Sequence, residues 1–264
     1  MWTIYGNKTS TTTIVALPAL GERKEMFIPL ANYMNDVKWI VFDLPGSHKQ
    51  QLADYSIPAF CQLIHEVLVE QHINQAHFIG SSLGAWAIQE FADLFPQKVQ
   101  SLTLLDGGHY FLGERGEVHE EVELAANIEN FDDIAAAIQE LTYSMPNIEK
   151  AAYEHFEQYF LGNYILHNDL YAHHCDEIAY NALSKELLTT NYCLKQTDIS
   201  LQLVIAEASA DDFSKSKVID FKKHFPHAHV TFLQHGQHYL PLTNTAELAM
   251  ILQKFYETPC GKES

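Results

Sequence analysis

The stretch that decides the fold is Ala76-His77-Phe78-Ile79-Gly80-Ser81-Ser82-Leu83-Gly84. Its first four residues are a short apolar run typical of a buried strand. Residues 83–95 then carry apolar side chains at helical spacing until Pro96, which is typical of a helix end. The pattern G-x-S-x-G between a strand and a helix predicts a nucleophile elbow, a tight turn that exposes one serine hydroxyl.

The flanking glycines choose between the two serines of this turn. Ser82 has Gly80 and Gly84 two residues away on either side, whereas Ser81 has larger neighbours at the same distance. A strained turn needs small residues at those positions, so Ser82 is the candidate nucleophile. Its place at a predicted helix N-terminus also favours a nearby oxyanion, because the first backbone N–H groups of a helix are unpaired.

Short apolar runs alternate with amphipathic ones along most of the chain, which predicts an α/β fold with a mostly parallel central sheet flanked by helices. The predicted strands are residues 12–17, 37–42, 76–79, 99–105, 201–205 and 229–233, with 2–5 as an additional edge strand. The predicted helices include 57–71, 83–95 and 246–256.

The alternation stops between residues 111 and 197. This acidic segment contains helical runs at 122–128, 131–141, 150–160 and 177–188 and no convincing strand. We interpret 111–197 as a helical cap inserted into a core of residues 1–110 and 198–264. A separate domain is the alternative, although no linker rich in proline, glycine or serine flanks the segment.

With these features the sequence resembles the α/β-hydrolase fold superfamily over nearly its whole length. The resemblance implies an oxyanion hole formed by backbone N–H groups of Leu20 and Leu83. Where the family commonly has His-Gly, this chain has Pro18-Ala19. The family's Asp-x-Pro-Gly feature is present as Asp43-Leu44-Pro45-Gly46.

A general base is expected after the last strand, because a serine hydroxyl is a weak nucleophile until a base accepts its proton. Gly236-Gln237-His238 follows the strand 229–233 and matches the family's histidine loop. His238 is therefore the candidate base, and His235 is the alternative.

The triad acid is expected a few residues past the strand 201–205, in the chain order serine, acid, histidine. Asp211 is the first choice there, with Asp212 next to it as an alternative. Asp106, at the end of the strand 99–105, is a third candidate, because some relatives supply the acid from that strand. Each aspartate could instead cap a helix or a loop.

The charge and cysteine content of the chain limit the classes of partner that we expect. The chain has 16 Lys and Arg against 34 Asp and Glu, a formal charge of −18. Such a surface repels phosphate backbones and anionic lipids, so we expect no nucleic-acid and no membrane partner. No targeting or membrane-spanning segment is evident, and the four scattered cysteines are typical of free thiols, so a cytoplasmic location is expected.

These patterns predict a serine hydrolase that cleaves a carboxylic ester or related acyl bond of a small, largely apolar substrate through an acyl-enzyme. No cofactor or metal is expected. The run His173-His174-Cys175 is not expected to bind a metal, because the side chains of adjacent residues point in different directions and cannot form a tetrahedral site by themselves. Two alternatives remain: the same triad acting on an amide, lactone, thioester or C–C bond, and a non-catalytic small-molecule binder on the same scaffold.

Overall fold

The computed structural model describes residues 1–145 and 150–257. A seven-stranded sheet has the order β1-β3-β2-β4-β5-β8-β9, and only its edge strand β1 runs antiparallel to its neighbour. The strands are β1 (Trp2–Gly6), β2 (Thr13–Leu17), β3 (Lys38–Phe42), β4 (Ala76–Ser81), β5 (Val99–Leu105), β6 (Tyr164–His167), β7 (Leu170–His173), β8 (Ser200–Ala206) and β9 (His229–Leu233). The mostly parallel sheet predicted from the sequence is confirmed, with strand ends within two residues of the expected ones.

Helices cover both faces of this sheet. They are α1 (Ile28–Tyr33), α2 (Ile57–Glu70), α3 (Leu83–Leu94), α4 (Phe131–Ser144), α5 (Lys150–Leu161), α6 (Glu177–Thr189), α7 (Asp212–His224), α8 (Leu240–Thr243) and α9 (Thr245–Glu257). In β2, Val15 packs on the side of α2 and α3, while Ile14 packs on the side of α1 and α9. Both faces of the strand are therefore buried, which explains its continuous apolar sequence.

The segment between β5 and β8 departs from the prediction in two places. Residues 164–173 form a two-stranded antiparallel hairpin, β6–β7, where no strand was expected. Residues 122–127 are irregular rather than helical, with Asn127 at φ 58°, and Ile128 forms an isolated bridge with Tyr171. The side chain of Asn181, on α6, bonds both backbone groups of Val122, which anchors the start of this run.

The other predicted helices of the segment are α4, α5 and α6. The division of the chain into a core and a cap at 111–197 stays a prediction. No helix within residues 1–145 and 150–257 combines the length and apolar character that crossing a bilayer requires.

Candidate active site

The turn between β4 and α3 has the geometry of a nucleophile elbow. Ser82 has φ 49° and ψ −116°, a backbone conformation that L-residues rarely adopt. Its N–H donates to the Leu105 carbonyl at 2.9 Å, and its carbonyl accepts from the Ala85 N–H at 2.8 Å. The strained serine is therefore anchored to the sheet on one side and to the helix on the other.

The two glycines around Ser82 are required by close backbone contacts. A Cβ atom on Gly80 would lie 2.2 Å from the carbonyl carbon of Gly84, and one on Gly84 would lie 2.3 Å from the Leu17 carbonyl oxygen. Both separations are far below van der Waals contact. The absence of side chains brings the start of α3 against the end of β2, where the loop containing Leu20 begins.

Ser81 and Ser82 lie in different environments. Ser81 belongs to β4 and is completely buried, and its Oγ has no hydrogen-bond partner in the described parts of the chain. Ser82 is half-buried and lines a cavity of about 470 Å³ at the carboxyl end of the sheet. Of the two, the structure therefore brings only Ser82 into a space that a substrate could enter.

His238 contacts an aspartate that is not the one preferred from the sequence. Its Nδ1 lies 2.6 Å from Oδ2 of Asp106, which directly follows β5. The Asp106 side chain is only 1% exposed, and it also accepts hydrogen bonds from the Ala206 N–H at 2.8 Å and from Ser209 Oγ at 2.6 Å. A carboxylate with three donors is oriented firmly enough to hold one tautomer and one orientation of the imidazole.

Asp211, the triad acid preferred from the sequence, bonds partners other than His238. Asp211 is the N-cap of α7, where it accepts from the Ser214 N–H at 2.6 Å and from Arg115 Nη2 at 3.0 Å. The Ser214 hydrogen bond and the Arg115 guanidinium lower its pKa. Its side chain is 52% exposed, and it contacts the Ser214 N–H and Arg115 rather than His238.

The two remaining alternatives also lie away from His238. Asp212 is the exposed first residue of α7. His235 has a largely exposed ring that faces Glu207, and its N–H donates to Glu207 Oε2 at 2.7 Å. His238, by contrast, lines the cavity together with Ser82 and Asp106.

The loops that carry the acid and the base pack against the elbow. The N–H of Asp106 continues the β5–β8 ladder by donating to the Val204 carbonyl at 2.8 Å, and Asp106 itself has φ 49°. A Cβ atom on the next residue, Gly107, would lie 3.0 Å from Cα of Ser82. The Ala208 N–H donates to the Gly236 carbonyl at 3.1 Å, which joins the loop after β8 to the histidine loop.

Within residues 1–145 and 150–257, Ser82 and His238 share the cavity without a hydrogen bond between their side chains. Such bonds are often long in ligand-free enzymes and shorten when substrate binds. The cavity therefore brings together a serine, a histidine and an aspartate, and the aspartate is bonded to the histidine.

The two expected oxyanion donors flank the same space. Leu20 lines the cavity, and Leu83 is the first residue of α3, where the backbone N–H has no intrahelical acceptor. The helix start also places a partial positive charge beside Ser82. An oxygen carrying developing negative charge would be stabilised at this position.

The remaining cavity wall combines apolar and charged side chains. The apolar lining includes Trp86, Tyr110, Leu112, Leu187 and Leu188. Besides Asp106 and His238, four charged or imidazole side chains complete it: His109, Arg115, Glu117 and Asp211.

His109 and Arg115 have well-defined partners. Burial lowers the pKa of His109 to about 4, so its ring is neutral at pH 7, with Nε2 3.1 Å from Ser214 Oγ. The Arg115 guanidinium bonds the Tyr110 hydroxyl and Asp211 and lies over the ring of Phe213. Arg115 and Ser209 were not predicted from the sequence, although Ser209 lies in the loop searched for the acid.

Possible metal ligands are occupied by protein partners. In the described residues, Glu25, Asp43 and His48 approach one another closely, but Lys24 Nζ lies 2.7 Å from Asp43 and 3.2 Å from Glu25. An ammonium group already compensates these carboxylates. His174 directs Nε2 to the Gly21 carbonyl at 2.9 Å.

Comparison with known proteins identifies the fold. No model of a protein family matches the sequence. A 75-residue stretch is 40% identical to the pimeloyl-(acyl-carrier protein) methyl ester esterase of Methylococcus capsulatus, and the match spans 28% of this chain and 28% of that relative.

Solved structures match over almost the full length. A thioesterase domain from the curacin biosynthetic pathway superposes with a TM-score of 0.75 and 17% identity, covering 96% of this chain and 94% of that one. E-2-(acetamidomethylene)succinate hydrolase superposes with a TM-score of 0.74 and 14% identity, covering 97% and 94%. Because these superpositions extend along nearly the whole chain, this protein has the fold of these hydrolases, the α/β-hydrolase fold.

Proposed function

We propose that this chain is a serine hydrolase that cleaves a carboxylic ester or related acyl bond of a small, largely apolar substrate through an acyl-enzyme. The observation that carries the proposal is the buried Asp106 carboxylate bonded to His238, with Ser82 on a strained elbow in the same cavity. A non-catalytic binder has no chemical need for this combination. The name of the Methylococcus relative, a methyl ester esterase, supports ester cleavage as the reaction.

The first half of the reaction forms the acyl-enzyme. Ser82 Oγ attacks the substrate carbonyl carbon, and its proton passes to Nε2 of His238. The carbonyl oxygen becomes an oxyanion, which accepts hydrogen bonds from the Leu20 and Leu83 N–H groups. Asp106 stabilises the resulting imidazolium through Nδ1. The tetrahedral intermediate then collapses, the bond to the leaving alkoxide breaks, and that alkoxide takes the proton from His238 Nε2, which gives the free alcohol and the acyl-enzyme.

The second half releases the acid. Water then attacks the acyl carbon while His238 accepts its proton, and Ser82 regains a proton as the carboxylic acid leaves. Atoms and charge balance without any further group.

We also propose that residues 111–197 act as the cap over this site and contribute to substrate choice. Leu112 and three residues of α6, namely Ser184, Leu187 and Leu188, line the cavity opposite Ser82. Three of these four side chains are apolar, and the whole cavity has a volume of about 470 Å³. A cavity of this size and lining favours a small apolar acyl or alcohol group over a long chain.

The test is hydrolysis of p-nitrophenyl acetate, butyrate and palmitate by the unmodified protein, Ser82→Ala and Ser81→Ala. Ser81→Ala is the matched control, because it removes a neighbouring, fully buried hydroxyl that has no hydrogen-bond partner among the described residues. We expect the unmodified protein and Ser81→Ala to cleave the short esters far faster than palmitate, with Ser82→Ala reduced by about 10⁴-fold or more.

Absence of hydrolysis of all three esters by the folded, unmodified protein would contradict the ester assignment. Matched butyryl thioester and anilide substrates then distinguish the bond types. Preference for the thioester or anilide over the oxygen ester would move the assignment to that bond while keeping Ser82 as nucleophile.

A further inference from the structure

A buried polar cluster lies directly behind the loop that carries the oxyanion donor Leu20. It consists of Glu22 and Arg23, on this loop, together with Tyr159 and Asn163 from α5 and the turn after it. All four residues are at least nine-tenths buried. Burying charged groups costs free energy unless they are hydrogen-bonded. We therefore ask what the hydrogen bonds of this cluster hold in place.

Tyr159 is the centre of the cluster. Its hydroxyl accepts a hydrogen bond from the Arg23 backbone N–H at 2.8 Å and donates one to Glu22 Oε2, also at 2.8 Å. Asn163 Nδ2 donates to the same Glu22 oxygen at 2.9 Å. One phenol group thus connects the backbone of the loop with the Glu22 carboxyl group.

Arg23 closes the cluster from the other side. Its Nε donates to Asn163 Oδ1 at 2.7 Å, and its Nη2 donates to the Tyr159 carbonyl at 2.7 Å. A Cβ atom on Gly162 would lie 2.4 Å from Nη2 of Arg23, so the glycine leaves room for the guanidinium. The Tyr159 hydroxyl also lies 3.2 Å from the Arg23 carbonyl, so six hydrogen bonds join the loop to the C-terminal end of α5 and the turn after it.

The residue next to Leu20 is also fixed by the segment 111–197. Gly21 has φ 76°, and its carbonyl accepts from His174 Nε2 at 2.9 Å. The His174 N–H in turn donates to the Asn163 carbonyl at 2.7 Å. Within the loop itself, a turn is closed by the Glu22 N–H donating to the Ala19 carbonyl at 3.0 Å.

These contacts place Leu20 inside a short turn whose far end is bonded to α5 and the residue after β7. Leu20 itself lines the cavity, while the side chains of Glu22 and Arg23 are buried and hydrogen-bonded within the cluster. A shift of Tyr159 would move Arg23 N and Glu22 and, through the turn, the Leu20 amide. Pro18 and Ala19, at the start of the turn, stand where the family commonly has His-Gly. The hydrogen bonds that hold the turn come from α5 and from the residue after β7.

We propose that Tyr159 is a positioning residue for the oxyanion hole, acting through Glu22 and Arg23 on the Leu20 amide. The inference rests on the proposed function, because it assigns a role to the same site. It couples the cap to catalysis: the hydroxyl of a cap helix determines how well the reacting oxygen is bound in the transition state.

The test uses removal of the hydrogen bond between Tyr159 and Glu22 from either end. Tyr159→Phe deletes the hydroxyl, and Glu22→Ala deletes its acceptor. Glu22→Gln is the matched control because it retains an acceptor oxygen at nearly the same place. Tyr143→Phe removes a phenol hydroxyl from an exposed tyrosine of α4 and controls for the substitution itself.

For Tyr159→Phe and Glu22→Ala we expect kcat for p-nitrophenyl butyrate to fall about 10- to 100-fold, somewhat less than the roughly 10²–10³ observed when an oxyanion donor is removed outright. KM stays within about twofold, because the ground-state carbonyl uses the hole little. Glu22→Gln and Tyr143→Phe retain kcat within about threefold.

A transition-state mimic supplies the readout that a merely structural role would not move. Phenylboronic acid forms a tetrahedral adduct with a catalytic serine and places one oxygen in the hole, so its Ki in Tyr159→Phe should rise by about the same factor by which kcat/KM falls. Circular dichroism melting checks that each variant is folded; if Tyr159→Phe is not, the Glu22→Ala and Glu22→Gln pair decides alone.

Unchanged kcat in folded Tyr159→Phe or Glu22→Ala would overturn the inference, as would a loss of kcat/KM with an unchanged boronate Ki. Either result leaves Ser82-dependent ester hydrolysis by the unmodified protein in place, so failure here is distinct from failure of the proposed function.

Discussion

Asp106 Oδ2 and His238 Nδ1 lie 2.6 Å apart, although the two residues are 132 positions apart in the sequence. The contact forms because β5 and β8 are neighbours in the sheet and the loop after β9 folds back over the end of β8. It defines which aspartate can orient the imidazole, and therefore which residues constitute the proposed triad.

Replacement of Asp106 by asparagine should lower kcat by about 10³–10⁴-fold with little change in KM. The amide would present an N–H group or a neutral oxygen to His238 Nδ1, so the imidazole would lose both its required tautomer and the stabilisation of its cation. Steady-state hydrolysis of p-nitrophenyl butyrate measures this. A loss of less than tenfold would remove Asp106 from the triad.

Replacement of Asp211 by alanine should give the opposite result. Because Asp211 caps α7 through the Ser214 N–H, we expect the free energy of unfolding to fall by about 1 kcal/mol. The kcat should stay within about threefold of the unmodified protein, since Asp211 does not contact His238. Urea denaturation and the same ester assay measure the two quantities, and a loss of activity as large as that of Asp106→Asn would restore Asp211 as the acid.

Alanine at Gly80 should prevent correct folding. Its Cβ would lie 2.2 Å from the Gly84 carbonyl carbon and oxygen, in a part of the backbone that cannot retreat without moving β4 or α3. We expect a loss of at least about 3 kcal/mol of unfolding free energy, or insoluble protein.

Gly116→Ala is the control for this substitution. Gly116 has φ 74°, but a Cβ atom there would meet nothing within 4 Å. Its cost should be only the conformational one, about 1 kcal/mol. Equal stabilities of the two variants in urea would show that the elbow contacts are not rigid.

Buried histidines should make the fold acid-sensitive. Burial lowers the pKa of His77 from 6.5 to about 4, so the unfolded chain binds a proton at this residue between those pH values and the folded chain does not. The stabilisation is complete above pH 6.5 and is lost as the pH falls towards 4. From pH 7 to pH 5 this one residue should reduce the free energy of unfolding by about 2 kcal/mol.

His77→Gln should shrink the pH 7 to pH 5 difference by that amount, as measured by urea denaturation at both values. Burial lowers the pKa of His109 and His173 to about 4 in the same way, so the larger part of the pH dependence should remain. An unaltered difference in His77→Gln would mean that His77 is protonated in the folded protein.

The elbow and the sheet could be predicted because their signals are local. Buried parallel strands have continuous apolar sequences, and the turn at Ser82 needs glycine at two fixed distances. His238 could be located for a similar reason, as it follows the last strand in a glycine-containing loop. The identity of the acid depends instead on how far two loops extend in three dimensions, which the sequence does not encode locally.

Some of what was missed left a signal in the sequence. Asp211-Asp212-Phe213-Ser214 is a typical helix start, and the N-cap role fell to Asp211 rather than to Asp212. In the hairpin β6–β7, Asn168 and Asp169 both have positive φ, as a two-residue type I′ turn requires. The flanking runs are short and half-exposed, so their apolar pattern was too weak to predict strands.

The irregular run at 122–128 had no local signal in the sequence. Its conformation depends on Asn181 and on the bridge from Ile128 to Tyr171, which are contacts with distant parts of the chain. The cluster around Tyr159 is likewise assembled from segments about 136 residues apart, and only the folded chain brings them together.

Covalent labelling with a fluorophosphonate tests the central claim most directly. The probe phosphonylates an activated serine, with loss of fluoride, and peptide mass spectrometry locates the adduct. We predict stoichiometric modification at Ser82 in the unmodified protein and in Ser81→Ala, and no modification in Ser82→Ala. No adduct on the folded, unmodified protein, or an adduct that persists in Ser82→Ala, would contradict the account.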